Sequence, residues 1–251
     1  MAADIFIVTG GTHGIGRATA EILLQQGARV LITGRDEASG QATAAALPGA
    51  EYLRADVSKE EDCRAVVERA LELGEGRISG LVNNAGVGKR QAFRDSTLAD
   101  WDMLMAINAR GTYLMTRLAL DGLIAAGGAV VNVASIAGRA GEEELAIYTA
   151  SKAAVIGLTQ SLTLELGHLV RFNAVCPGQI ATRMMRAVTS DDRRRQALEL
   201  RIPAGRLSEP REVGELIAWL LSSKASYVNG AIIPIDGGET AGLRNPRPFE
   251  L

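Results

Sequence analysis

The chain has 251 residues, of which 47% are hydrophobic and 22% charged, with a formal net charge of −2. This composition is typical of a globular protein with a large core, and it has no basic excess that would indicate a nucleic-acid partner. The sequence shows neither the ~18 consecutive apolar residues of a membrane helix nor a secretory signal, so we expect a cytoplasmic protein without membrane association. Two cysteines and two histidines give no metal-ligand set at normal spacing, so we expect no metal.

Short β-rich runs alternate with helical patterns along the chain. The predicted strands are Ile5–Thr9, Arg29–Thr33, Glu51–Ala55, Gly80–Asn83, Ala129–Ala134, Val170–Val175 and Ala231–Ile235. The predicted helices lie near 15–26, 37–47, 59–73, 98–123, 148–166 and 209–222. This alternation favours a doubly wound, seven-stranded parallel sheet with helices on both faces, in a single α/β domain spanning residues 1–251.

A turn rich in glycine follows the first strand and leads into the first helix. Its residues run from Thr9 to Gly16, with glycines at Gly10, Gly14 and Gly16. Glycines let the backbone approach a pyrophosphate closely, and the helix N-terminus supplies free N–H groups. The spacing differs from the usual G-x-G-x-x-G, but the position between strand and helix predicts a dinucleotide site.

Tyr148 and Lys152 are four residues apart in a predicted helix, and Ser135 follows a predicted strand. Residues at i and i+4 share a helix face, so the phenol and the ammonium would point into the same space. A cation beside a phenol lowers its pKa from about 10, which makes it usable as an acid or base. Taken alone, however, this spacing also fits a solvated helix face.

Five motifs in this order make the chain similar to the short-chain dehydrogenase/reductase family. They are Thr9-Gly10-x3-Gly14-x-Gly16, Asn83-Asn84-Ala85-Gly86, Ser135, Tyr148-x3-Lys152 and Pro177-Gly178, and the resemblance extends from residue 4 to about residue 240. It implies a Rossmann-type fold and an NAD(P)-dependent oxidoreductase acting on CH–OH groups. It also implies a homotetramer or homodimer, pairing the helices near 98–123 and 148–166.

The resemblance also implies roles for individual residues. Tyr148 would be the acid/base, Ser135 would hydrogen-bond the substrate oxygen, and Lys152 would lower the tyrosine pKa and hold the nicotinamide ribose. Asn108 would complete the catalytic set, its carbonyl holding a water beside Lys152. The implied cofactor contacts are Gly10, Thr12, His13, Gly14, Ile15 and Gly16 at the turn, Asp56 and Val57 at the adenine, Asn83, Ala85 and Gly86 at the ribose, and Pro177, Gly178, Ile180 and Thr182 at the nicotinamide.

The end of the second predicted strand bears on the choice of cofactor. Gly34 stands where the family's NAD-dependent members carry an acidic residue, and Arg35 follows it. A guanidinium suits the 2′-phosphate of NADP, so NADP(H) is favoured. NAD(H) stays open because a small shift would aim Asp36 at the ribose.

Residues 179–207 interrupt the alternation and are expected to form a substrate lid, lined by Ile180, Met184 and Met185. The lid arginines suggest an anionic substrate, but interspersed acids favour a solvated amphipathic helix. Glu142, Glu143 and Glu144 precede Tyr148 and are interpreted as a charged loop, with a pocket border as the alternative. The tail, 241–251, has no periodicity and is either loose or packed on a neighbouring subunit.

We therefore expect an NADP(H)-dependent enzyme that interconverts a small-molecule ketone and a secondary alcohol, of the carbonyl or 3-oxoacyl reductase type. The alternative is an NAD-dependent alcohol or diol dehydrogenase. A non-catalytic nucleotide sensor is a third reading, but such proteins characteristically lose the tyrosine or the lysine that this chain keeps. The sequence does not identify the substrate.

Overall fold

The computed structural model describes residues 4–185 and 190–243, and within these ranges seven strands form one parallel sheet. The order is β3-β2-β1-β4-β5-β6-β7, and every neighbouring pair is parallel. The strands are β1 (Ile5–Val8), β2 (Arg29–Gly34), β3 (Ala50–Arg54), β4 (Gly80–Asn83), β5 (Ala129–Val133), β6 (Arg171–Pro177) and β7 (Ile232–Ile235). The predicted Rossmann-type sheet is confirmed.

The helices cover both faces of this sheet. They are α1 (Gly14–Gln25), α2 (Glu37–Ala46), α3 (Glu60–Leu73), α4 (Leu98–Leu104), α5 (Gly111–Ala126), α6 (Ala137–Ala140), α7 (Ala146–Leu166), α8 (Asp192–Glu199) and α9 (Pro210–Leu221). Helices α1 and α9 bury their apolar residues against one face, and α3 and α5 bury theirs against the other. No helix in the described ranges is long and apolar enough to cross a membrane.

The central strands are hydrophobic on both faces because helices cover both. In β5, Val130 packs with the α3–α5 side, whereas its neighbour Val131 packs with the α1–α9 side. Both side chains are fully buried. Continuous apolar runs are expected of strands buried on two faces, which is why the sequence revealed these strands clearly.

The segment between α4 and α5 differs from the single α-helix predicted over 98–123. Residues Met105–Arg110 form a π-helical stretch within an otherwise continuous helix, and Asn108 lies in it, fully buried. Single π-turns inside α-helices concentrate at functional sites, because the wider turn redirects side chains and carbonyls. Periodicity could not separate this stretch from ordinary helix.

A buried chain of polar side chains crosses the sheet beneath the carboxyl ends of its strands. The Asn83 amide donates to Thr116 Oγ1 at 2.9 Å and to Asn132 Oδ1 at 2.8 Å. Asn132 in turn donates to Thr159 Oγ1 of α7 at 2.9 Å. These hydrogen bonds fix α5 and α7 relative to β4 and β5, although Asn83 Oδ1 itself is buried without a hydrogen-bond partner among the described residues.

The two ends of the segment expected to form a lid are hydrogen-bonded to each other. Ile180 pairs with Ser208 as an isolated parallel bridge, and Ser208 also accepts a hydrogen bond from the Ala181 N–H at 2.9 Å. Between these ends lies α8, whose arginines are exposed and partly paired with Asp191 and Asp192. The solvated-helix interpretation of these arginines is therefore confirmed for α8. Arg186 lies outside the described residues, as does the tail beyond residue 243.

Candidate functional site

A cleft opens at the carboxyl ends of β1, β4, β5 and β6, where the strand order reverses direction between β1 and β4. In doubly wound sheets this is the position at which ligands bind. The cleft contains about 910 Å³ of empty space, its open mouth included. Its lining joins the two motif groups of the sequence: Gly10, His13, Gly14, Ile15, Asn84, Ala85, Gly86, Val87, Val133, Ala134, Ser135, Tyr148, Lys152, Pro177, Gly178, Ile180, Thr182 and Met185.

The glycine turn has a backbone that side chains would disrupt. Gly10 and Gly14 have φ values of +63° and +57°, in the left-handed region that favours glycine. At Gly16, a Cβ would lie 2.4 Å from the Gly10 carbonyl oxygen and 2.5 Å from Asn84 Nδ2. The turn is thus folded tightly on itself at the start of α1, which fits a backbone cradle for a pyrophosphate.

Asn84 is the residue that holds this turn, and the predicted site residues do not include it. Its Nδ2 donates to the carbonyl oxygens of Thr9 at 2.9 Å and Gly10 at 3.0 Å. Thr9 Oγ1 accepts the backbone N–H groups of Asn84 and Ala85, each at 3.0 Å. Asn84 belongs to the Asn83–Gly86 motif after β4, and Thr9 and Gly10 belong to the glycine motif after β1. Because β1 and β4 are neighbours in the sheet, the two motifs could have predicted this contact. Val87, Val133 and Ala134 also line the cleft without having been predicted.

Tyr148 and Lys152 lie on one face of α7, as the spacing predicted. Tyr148 is half-buried in the first turn, and the Lys152 ammonium lies 5.9 Å from the centre of its ring. Lys152 is 5% exposed, and its Nζ donates to the Val133 carbonyl oxygen at 2.8 Å. Ser135 follows β5 and its Oγ accepts the Ala137 N–H at 3.1 Å. All three side chains face the cleft that the glycine turn borders.

The predicted lowering of the tyrosine pKa by Lys152 is wrong for the protein alone. Burial raises the pKa of Tyr148, and the negative charge of Glu142 adds to this, whereas interaction with Ser135 lowers it. Burial also lowers the pKa of Lys152 to about 8, because an ammonium is poorly solvated there. With a pKa of about 8, Lys152 loses its positive charge just above neutral pH, and that charge is what would favour a phenolate.

Asn108 lies behind this group and does not line the cleft. Its Oδ1 accepts the Val87 N–H at 2.9 Å, and its Nδ2 donates to the Val87 carbonyl and to Ser151 Oγ, each at 2.9 Å. Its own carbonyl accepts the Thr112 hydroxyl at 2.9 Å. A Cβ on Gly86 would lie 3.2 Å from both Asn108 Oδ1 and Lys152 Nζ. Asn108 and Lys152 therefore approach each other closely beside Gly86, where a larger residue would crowd both.

Gly34, which stands where the family's NAD-dependent members carry an acidic residue, has the Thr12 side chain packed beside it. A Cβ on Gly34 would meet Thr12 Cγ2 at 2.8 Å. Arg35 is exposed, and its carbonyl accepts the Arg54 Nε–H at 3.1 Å. Asp36 is committed to α2, because its Oδ1 accepts the Ser39 N–H at 2.8 Å as an N-cap. A shift that would aim Asp36 at a ribose would break this cap.

The remaining predicted cofactor residues lie away from the central cleft. Asp56 Oδ1 accepts the N–H and hydroxyl of Ser58 at 3.0 and 2.7 Å, and so shapes the turn into α3. Val57 is buried and packs closely against Gly111, where an added Cβ would lie 2.8 Å from the valine Cγ2. The Asn83 Nδ2 is engaged in the polar chain beneath the strands, whereas its Oδ1 has no hydrogen-bond partner among the described residues. Predicted residues outside the cleft lining are Thr12, Gly16, Arg35, Asp56, Val57, Asn83 and Asn108.

The opposite end of the cleft is bordered by Ile180, Thr182 and Met185, which belong to the segment expected to form a lid. Met185 lines it, as predicted, while the Met184 side chain lies outside the described part of the structure. Glu142 accepts a hydrogen bond from Arg90 and lies close enough to raise the tyrosine pKa. The loop of three glutamates is thus charged, as predicted, and Glu142 also acts electrostatically on the site.

Comparison with known proteins matches residues 10–240 to a family model described as enoyl-(acyl carrier protein) reductase. The chain belongs to the short-chain dehydrogenase/reductase family. It is 36% identical to 2-(S)-hydroxypropyl-CoM dehydrogenase 3 of Xanthobacter autotrophicus, over 95% of this chain and 97% of that protein. It is 38% identical to 2,5-dichloro-2,5-cyclohexadiene-1,4-diol dehydrogenase of Sphingobium indicum, over 96% and 98%.

A third relative is 3-oxoacyl-[acyl-carrier-protein] reductase of Aquifex aeolicus, which is 36% identical over 95% of this chain and 98% of its own. These short-chain dehydrogenase/reductase relatives are named as both dehydrogenases and reductases. The chain is therefore an oxidoreductase of CH–OH groups that uses a nicotinamide cofactor, NAD(H) or NADP(H).

Proposed function

We propose that this chain is an NADP(H)-dependent oxidoreductase that interconverts a ketone and a secondary alcohol, with Tyr148 as the general acid and base. The observation that carries this is the shared cleft. Ser135, Tyr148 and Lys152 open into the same space as the Gly10–Gly16 turn and the Pro177–Gly178 segment. A substrate oxygen and a cofactor held by that turn would therefore be neighbours.

Each polar residue has a separate task in this proposal. Ser135 hydrogen-bonds the substrate oxygen, and Tyr148 gives that oxygen a proton during reduction or removes one during oxidation. Lys152, next to the phenol, supplies positive charge while it is protonated. A nicotinamide cofactor bound in the cleft would supply or take up the hydride. Asn108 keeps Val87 and Ser151 in place, and Ser151 Oγ donates to the Tyr148 carbonyl at 2.7 Å, which links Asn108 to the tyrosine backbone.

The turn fits a dinucleotide on structural grounds. Gly10 and Gly14 line the cleft without a side chain to cover their backbone, and His13 and Ile15 border the same space. The residues that would hold the pyrophosphate are Gly10, Gly14 and Ile15. Thr182 would border the nicotinamide end with Pro177, Gly178 and Ile180, all of which line the cleft.

The preference for NADP(H) is supported by the end of β2. Gly34 has no side chain, so it offers no carboxylate to a ribose 2′-hydroxyl, and Asp36 is engaged as a cap. Arg35 is exposed next to this position and its guanidinium is suited to a 2′-phosphate. The neighbouring Arg54 is also exposed and adds to the positive charge.

The direct test follows the absorbance of reduced nicotinamide against a panel of ketones and secondary alcohols, with NADP(H) and NAD(H) in parallel. We expect turnover in both directions and a higher kcat/KM with NADP(H). Faster turnover with NAD(H) would support the alternative, an NAD-dependent dehydrogenase. Cofactor binding without turnover of any compound would instead support a nucleotide sensor.

A further inference from the structure

The segment after β6 brings an arginine of the expected lid, Arg183, to the glycine turn. A Cβ on Gly14 would lie 3.3 Å from Thr182 Cγ2, so Thr182 packs directly against the turn. Arg183 begins the short 3₁₀-helix Arg183–Met185, in which the Thr182 carbonyl accepts the Met185 N–H at 3.0 Å. Thr182 and Met185 line the cleft, and the Arg183 side chain between them is exposed. The backbone thus holds Arg183 at the rim of the cleft, beside the glycine turn.

The end of β2 lies at the same corner of the molecule. Thr12 Oγ1 is hydrogen-bonded to His13 Nδ1 in the glycine turn at 2.9 Å. The other branch of the same side chain, Thr12 Cγ2, lies 2.8 Å from the position of a Cβ on Gly34, the last residue of β2. In doubly wound dinucleotide folds the ribose 2′ position is contacted at this place. A dinucleotide held by the glycine turn would therefore present its ribose 2′ position to this corner.

Arg183 acts electrostatically on both parts of the corner. Burial lowers the pKa of His13, and the positive charge of Arg183 lowers it further. Hydrogen bonding to Ser39 lowers the pKa of Asp36, just beyond β2, and the charge of Arg183 adds to this. The guanidinium is therefore within electrostatic range of the glycine turn on one side and of the end of β2 on the other.

The charge of Arg183 is available to a ligand. Four other arginines of the expected lid are ion-paired: Arg194, Arg195, Arg201 and Arg206. No ion pair to Arg183 is present within residues 4–185 and 190–243. Asp36, the acid on which Arg183 acts, is already engaged with the Ser39 N–H as a helix cap. An exposed guanidinium without a carboxylate partner is suited to a phosphate, which it can bind through two N–H donors at once.

We propose that Arg183, together with Arg35, binds the 2′-phosphate of NADP(H) and so contributes to the choice of NADP(H) over NAD(H). This rests on the proposed function, because it extends the proposed preference for NADP(H) to a second residue. Arg35 comes from the end of β2 and Arg183 from the segment after β6, so a bound 2′-phosphate would join two segments that are distant in the sequence. NAD(H) carries a neutral hydroxyl at this position and would gain little from Arg183.

The test measures dissociation constants by isothermal titration calorimetry, without turnover. NADPH, NADH, 2′,5′-ADP and 5′-AMP are titrated into the wild type, Arg183→Gln and Arg183→Lys. The last two nucleotides lack the nicotinamide, and comparing them isolates the contribution of the 2′-phosphate. We expect Arg183→Gln to raise the Kd for NADPH and for 2′,5′-ADP about fivefold or more, because charge-assisted hydrogen bonds are lost. The Kd for NADH and for 5′-AMP should stay within about twofold, and Arg183→Lys should be intermediate because it keeps the charge but not the planar fork.

Arg193→Gln is the matched control. Arg193 is another exposed arginine of the expected lid without an ion pair among the described residues, but it lies in α8, and no residue of that helix lines the cleft. The control removes the same charge, so each Kd should stay within about twofold of the wild-type value. Raising NaCl from about 50 mM to about 500 mM should also reduce the preference for NADPH over NADH more in the wild type than in Arg183→Gln, because salt screens exposed charges.

Several results would overturn the inference. An equal rise of the Kd for NADPH and NADH in Arg183→Gln would mean that Arg183 contacts a part that both cofactors share, such as the pyrophosphate. An unchanged Kd for NADPH, or the same rise in Arg193→Gln, would also contradict it. A wild type that binds NADH as tightly as NADPH would refute the NADP(H) preference and the inference together. Selective weakening of NADPH in a protein that turns over no alcohol or ketone would support the inference and refute the proposed chemistry.

Discussion

The burial of Lys152 predicts that replacing it will stabilise the protein, in a way that depends on pH. Its side chain is 5% exposed, and burial lowers its pKa from 10.5 to about 8. Each pKa unit corresponds to about 1.36 kcal/mol, so keeping this lysine charged costs the folded state roughly 3 kcal/mol at neutral pH. Lys152→Met removes that cost but also the hydrogen bond to the Val133 carbonyl, worth about 1 kcal/mol.

The net expectation near pH 7 is a Met variant that is more stable than the wild type by about 2 kcal/mol. As the pH rises through about 8, the folded wild type releases the proton while the unfolded chain keeps it up to about 10.5. The free energy of unfolding of the wild type should therefore rise relative to the variant over this window. By pH 9.5 the gain amounts to about 2 kcal/mol, which brings the two proteins close to equal stability.

The measurement is urea unfolding followed by tryptophan fluorescence, since Trp101 and Trp219 report on α4 and α9. Wild type and variant are compared near pH 7 and near pH 9.5, so that groups common to both proteins cancel. A difference between them that stays constant across this range would refute the argument, because it would mean that Lys152 titrates at its ordinary pKa. A variant that is less stable at both pH values would show that the Val133 contact outweighs the cost of burial.

Two further substitutions address the cofactor end. Gly16→Ala should weaken NADPH binding at least tenfold and lower the free energy of unfolding by about 1–3 kcal/mol, because its Cβ would collide with the Gly10 carbonyl and Asn84. Gly157→Ala, in α7, is the control, because its Cβ meets nothing within 4 Å. It should stabilise the protein by about 0.5–1 kcal/mol and leave NADPH binding unchanged. Fluorescence titration measures the binding, and thermal melts measure the stability. Arg35→Asp should lower the ratio of kcat/KM for NADP to that for NAD about tenfold or more by replacing a guanidinium with a repelling carboxylate, and steady-state kinetics giving an unchanged ratio would contradict this role.

The sequence was sufficient for the sheet and for the outline of the site. Buried strands such as β5 are recognisable because apolar residues serve both faces. The Gly10–Gly16 turn is recognisable because Gly10 and Gly14 adopt left-handed φ values, which favour glycine. The four-residue spacing placed Tyr148 and Lys152 together because a regular helix repeats its faces. These features depend on local chain geometry, which a sequence encodes directly.

The remaining features depend on contacts between distant segments. The π-helical stretch at Asn108 has the same apolar pattern as ordinary helix, so periodicity could not reveal it. The ion pair between Arg201 and the buried side chain of Glu239 likewise becomes visible only in the folded structure, because it joins two segments that the sequence pattern does not connect. The direction of the Tyr148 pKa was also predicted wrongly, because helical spacing indicates proximity to Lys152 but carries no information about burial.

The central claim is that Tyr148 transfers the proton, and Tyr148→Phe tests it most directly when turnover and cofactor binding are measured on the same preparation. The phenylalanine keeps the ring beside Lys152 and removes only the hydroxyl. We expect kcat to fall by about 10²–10⁴-fold for any alcohol that the wild type oxidises, with the Kd for NADPH unchanged within about threefold. Turnover that stays within a few-fold of the wild type, with the cofactor still bound, would contradict the account.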